Sequence, residues 1–100
     1  MNLDSLKKKL QPKRHEYKID DETVIFIHRP TAMDMDKCKT LADTIIHCVK
    51  DENGDPIFAN EDIDGRINVN SIDILLGQQI YGAILDLFQI ENPADEIEKK

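Results

Sequence analysis

The sequence predicts a small, mainly α domain of the α+β class. It has an N-terminal β-hairpin, two principal amphipathic helices and a short acidic segment linking them. Three observations carry this: one β-rich run near the start, two long stretches with apolar residues every three or four positions, and a Gly-Pro turn between those stretches. With 100 residues there is room for one core, burying roughly 60–65% of the unfolded surface. Five aromatic side chains and no Trp leave that core to Leu, Ile, Val and Met.

Residues 1–15 form a basic arm. Leu3, Leu6 and Leu10 recur at helical spacing, with Asp4 or Ser5 near the start and Pro12 as the stop. The globular domain is expected over 16–91. Its hairpin occupies about 16–29, where Glu16–Ile19 and Thr23–Arg29 flank the acidic turn Asp20-Asp21-Glu22. The second run is β-branched or aromatic at most positions, which suits a pleated surface.

Pro30 turns the backbone of Arg29 away from helix, and Thr31 is a good N-cap with Asp34 three residues on. Met35, Cys38, Leu41, Ala42, Ile45, Cys48 and Val49 then define one apolar stripe, predicting a continuous helix over about 32–50. Asp51-Glu52-Asn53-Gly54-Asp55-Pro56 is the strongest turn, and Ile57-Phe58 is expected to pin it to the core. Residues 61–69 read as irregular, with at most one helical turn broken at Gly65. The second principal helix is expected over about 70–90, capped by Asn70 or Ser71 and stopped by Asn92-Pro93, with a charged tail over 92–100. Ile72, Leu76, Ala83 and Leu87 are assigned to face Leu41, Ile45 and Cys48. Some of Ile74, Tyr81, Leu85 and Phe88 are then left unclaimed, which makes these the candidate protein-interaction residues unless the hairpin and the helix at 3–10 cover that side.

The charge is −7 and uneven. Residues 1–18 hold six basic and two acidic side chains; the rest holds seven basic and eighteen acidic. An acidic body repels phosphate, so the folded domain is not expected to bind nucleic acid. No apolar run reaches the ~20 residues of a membrane span. The first residues lack the apolar core of a signal peptide, so the two cysteines are expected as free thiols in a cytoplasm.

No catalytic, metal or cofactor site is expected. Asp51, Asn53, Asp55 and Asp62 match ligand positions of a calcium loop, but Pro56 stands where that loop needs Gly, and Asp62 is shorter than the usual Glu. On one unbroken helix Cys38 and Cys48 would lie ~15 Å apart, too far to share zinc, with His47 pointing elsewhere. No Gly-rich phosphate loop, nucleophile elbow or H-E-x-x-H is present.

The order of these features resembles the tail assembly chaperones of long-tailed bacteriophages, over about residues 16–98. The telling segment is Cys48-Val49-Lys50-Asp51-Glu52-Asn53-Gly54-Asp55-Pro56-Ile57-Phe58, similar to that family's C-V-x-acidic-x-x-G-x-P-apolar-F stretch. The resemblance implies a non-enzymatic protein of the host cytoplasm, absent from the mature virion. It would hold the tape-measure protein while tail-tube protein polymerises around it. It also implies a longer form made by ribosomal frameshifting near Lys99-Lys100, while the over-wide apolar face of the last helix predicts a homo-oligomer that self-associates through that helix. The basic arm of residues 1–15, where the run of bases from Lys7 to Lys18 begins, has no counterpart in the family. The alternative is a small acidic regulatory protein, either DNA-binding through that arm or mimicking DNA. It lacks a basic recognition helix, since Asp34, Asp36 and Asp43 nearly balance Lys37, Lys39 and Lys50.

Overall fold

The hairpin is built as its residue types dictate. In the computed structural model, which describes residues 1–89, β1 (His15–Lys18) and β2 (Val24–Ile27) run antiparallel with Tyr17 opposite Ile25 and Glu16 opposite Phe26. Asp20 ties the turn by accepting hydrogen bonds from the Glu22 and Thr23 amides at 2.9 and 2.7 Å. Those amides, Glu22 first, hold the Asp20 carboxyl below the usual carboxylate range. Ile25 and Ile27 are buried, while Val24 lies on the exposed face and Phe26 is half-buried there.

The fold is α+β. Preceding the hairpin is α1 (Leu3–Leu10); after it come α2 (Ala32–Met35), α3 (Leu41–Cys48), β3 (Val49–Lys50), β4 (Phe58–Ala59), β5 (Ile67–Asn68), a 3-10 turn (Val69–Ser71) and α4 (Ile74–Leu87). One sheet has the order β1-β2-β3, and β4 pairs with β5 in parallel. The core joins one face of the three-stranded sheet to α3 and α4, with Ile45, Cys48, Val49 and Ile84 fully buried at its centre.

The helix expected over 32–50 is not one helix. It stops at Met35, where the chain tightens into i→i+3 bonds from Lys37 to Asp34 and Cys38 to Met35, and restarts after Thr40. Thr40 is extended (φ −126°, ψ 166°), and its Oγ1 accepts from the Asp43 amide at 3.1 Å. Thr31 caps α2 the same way, accepting from the Asp34 amide. The segment thus carries two Thr-x-x-Asp starts, and the second one breaks the apolar stripe. At its other end, Val49 leaves the helix directly into a strand, pairing with Ile27 and fully buried. A β-branched residue gains more there than in a last helical turn. Lys50 still meets α3's C-terminus: its Nζ donates to the His47 carbonyl at 2.8 Å.

The last helix is shorter than 70–90. Neither Asn70 nor Ser71 caps it; Asp73 does, accepting from the Leu75 and Leu76 amides. Asn68 caps the preceding 3-10 turn instead, and Ser71 donates to the Asn68 carbonyl. Likewise Asn2, not Asp4 or Ser5, caps α1. Residues 61–69 hold no α-helical turn; Gly65 takes φ +83°, and the chain then enters β5. Ile90, Asn92-Pro93 and the tail at 92–100 lie outside the described residues.

Candidate protein-interaction surface

Helix α4 packs with Gly77, Ile80, Ile84 and Leu87 inward, four residues at steps of three and four. Gly77 lies where α4 meets α3; a methyl there would touch Leu41 and Ile72 at 3.5–3.6 Å. The face assigned from sequence needs correction at Leu76, which is 45% exposed rather than buried against α3, whereas Leu87 is buried and Ile72 and Ala83 are half-buried. The cap is the cause: with Asp73 in that position the first turn falls at Ile74-Leu75-Leu76, ahead of the contact with α3.

Beside the buried face runs a second apolar row. Ile74 is 67% exposed, Leu85 41% and Phe88 40%, while Tyr81 is half-buried. Their steps of seven, four and three place them on one side of α4. Sequence reasoning missed the neighbouring Leu75, 60% exposed, and with Leu76 it makes the helix start almost wholly apolar. No periodicity separates Leu75 from a core residue; only the position of the cap does.

One concavity meets this row, and a second lies on the other side of α4. At one end Phe88 faces Lys9, Leu10, Pro12, Pro30 and Ala32 across an open cleft of about 740 Å³. Away from the row, on the side of α4 that carries Leu76, Gln79 and Ile80, Tyr17, Ile19, Phe58, Ile67, Ile72 and Leu76 line an apolar groove of about 220 Å³ between the hairpin, β4–β5 and α4. Helix α1 buries no residue, so it does not cover the row as a packed satellite would.

The polar residues singled out from sequence have local roles. Asp51 accepts from the Asn53 and Asp55 amides at 2.8 and 2.9 Å, and Gly54 completes the turn at φ +86°. Asp62 lies elsewhere, accepting from the Asn68 side chain. Among the described residues no three His, Cys, Asp or Glu side chains gather to hold a metal ion.

The thiols are placed differently from expectation. Because the segment breaks at 36–40, Cys38 folds back toward Cys48 and the two interact, instead of standing ~15 Å apart. Burial pushes the Cys48 thiol up to about 12, with Cys38 adding to it, and burial likewise raises Cys38. Both behave as small apolar groups, not nucleophiles. His28 is buried, and its Nδ1 lies 2.6 Å from the Arg29 carbonyl, which can only accept, so Nδ1 carries the proton. Burial first, then the Lys50 and Arg14 charges, lower its pKa against the opposing hydrogen bond to the Arg29 carbonyl and the pull of Asp34. Lys50 is lowered too, by burial.

Compared with known protein families, curated proteins and solved structures, the chain matches none. No helix of the described residues is long and apolar enough to cross a membrane.

Proposed function

We propose that this chain is a phage tail assembly chaperone, a non-enzymatic protein that binds the tape-measure protein and promotes assembly of the tail tube around it. The carrying observation is the solvent-facing apolar row Ile74, Tyr81, Leu85 and Phe88 on a helix that already buries Gly77, Ile80, Ile84 and Leu87 in the core. An extended helical partner lays its own apolar face along such a row, needing complementary shape and no catalytic group. The Cys48–Phe58 segment supports the family reading, and here it forms the end of α3, β3 and the turn that leads Phe58 into the core. Negative charge keeps several copies soluble while they line one partner. The reading includes action in the host cytoplasm, absence from the finished virion, self-association, contact with tail-tube protein and a frameshifted longer form.

Co-expression with the tape-measure protein of the same phage genome tests this. The partner should stay soluble and co-purify with the chain. That association should persist in high salt, because apolar docking releases few counterions, whereas DNA binding by the basic arm would collapse steeply. Insolubility of the tape-measure protein with and without the chain would reject the proposal.

A further inference from the structure

The three-stranded sheet has two unlike edges. At β3 the edge is closed: Lys50 bridges to Pro56, and the Asp51 amide donates to the Asp55 carbonyl across the turn. At β1 it is open. The Ile19 amide donates to Thr23 within the hairpin, so the alternation of an antiparallel pair turns Tyr17 toward β2 and turns the N–H and C=O groups of Glu16 and Lys18 outward. Among the described residues no main-chain hydrogen bond is made to those outward groups. An unpaired edge of this kind is a template for another strand.

The sequence of that edge names its partner. An antiparallel copy of β1, related by a two-fold axis through Tyr17, would set Glu16 opposite Lys18 and Lys18 opposite Glu16. Both residues have outward main-chain groups, so the register that pairs the charges also pairs about four N–H and C=O groups. Both side chains are exposed on the same sheet face, and neither has an ion-pair partner among the described residues. The same register sets exposed Ile19 opposite His15 of the copy, and brings the two apolar grooves lined by Tyr17 and Ile19 side by side. Two chains carrying −7 repel through most of their surface, but this edge is not acidic: residues 13–18 hold three bases and one acid.

We infer that β1 pairs with β1 of a second copy of this chain, joining two three-stranded sheets into one of six strands. This does not rest on the tape-measure reading, and it leaves the apolar row of α4 free for a partner.

Sedimentation of the full chain, with circular dichroism to confirm folding, tests it by charge exchange. The unaltered chain should be a dimer. Glu16→Lys and Lys18→Glu should each weaken dimerisation at least about tenfold by placing like charges opposite one another. The double variant E16K/K18E should restore it. Mixing the two single variants should yield a heterodimer, since the two bases on β1 of the E16K chain then meet the two acids on β1 of the K18E chain. Lys18→Pro removes one outward N–H without breaking the hairpin and should also give folded monomer. A monomeric unaltered chain, single variants that stay dimeric, or folded single variants that neither the double change nor mixing rescues would each overturn the inference. So would a dimer that is lost on changing Leu85 and Phe88 to Asp but is untouched by the β1 changes.

Discussion

Segments 32–50 and 70–89 present nearly the same apolar rhythm, yet one folds as two short helices and a strand, and the other as one long helix with a 3-10 turn before it. The first spends the apolar residues after its break on the core: Ile45, Cys48 and Val49 are fully buried and Cys38, Leu41, Ala42 and Ile46 pack against them, while Met33 and Met35 before the break stay exposed. The second has more apolar residues than one face can bury, and keeps Ile74, Leu75, Leu85 and Phe88 in contact with solvent. Breaking a stripe buries it from more directions; extending it leaves a side unspent. The unspent side is the surface that the proposed partner would use.

The largest expected effect sharpens that contrast within α4 itself. Ile84→Ala should cost about 2–5 kcal/mol in denaturant unfolding, because it opens a cavity at a fully buried position. Ile74→Ala, on the exposed side of the same helix, should stay within about 0.5 kcal/mol. Equal costs at the two positions would erase the distinction between the helix's sides.

Next in size is the break in the first segment. Thr40→Ala removes the acceptor of the Asp43 amide and should cost about 1 kcal/mol. Thr31→Ala should cost less than that, since the four-residue α2 that it caps buries nothing. If the Thr40 change were neutral and the segment became one helix, amide exchange over residues 36–40 would slow.

The smallest effect is a pH dependence at His28, whose amide donates to the Cys48 carbonyl at the end of the first segment's helix. His28 is held below its ordinary value of 6.5 by burial, so its contribution to stability is present above about 6.5 and is lost as pH falls through the lower folded value. The unfolded chain binds the proton first, which is the sign that makes acid destabilising. His28→Asn, keeping a donor to the Arg29 carbonyl, should flatten the fall in melting temperature between about pH 7 and 5. A steeper fall in the variant would assign the acid sensitivity to other groups.

Much of this was legible from residue types alone. The Asp20-Asp21-Glu22 turn, the β-branched strand after it, the Thr31 cap and the return of Phe58 to the core all follow local chemistry. The second cap was legible too, since Thr40 and Asp43 repeat the spacing of Thr31 and Asp34, but the continuous apolar stripe outweighed it. What decided the matter is non-local: Val49 pairs with Ile27, some twenty residues earlier, and that strand pairing ends α3. The same holds at the candidate surface. Ile74, Tyr81, Leu85 and Phe88 follow from periodicity, but the exposure of Leu75 and Leu76 depends on Asp73 being the cap, which Asn70 and Ser71 obscured. The open edge at β1 has no sequence signal until the hairpin register is known.

The central claim is that the outer row of α4 binds a helical partner and is not spare core. The direct measurement is the affinity of purified tape-measure protein for the unaltered chain and for Leu85→Asp, taken together with both melting temperatures. Leu85 is exposed, so the account predicts that the variant melts within a few degrees of the unaltered chain, while its Kd rises about tenfold or more as an interface anchor is lost. An unchanged Kd, or a variant that unfolds, would contradict it.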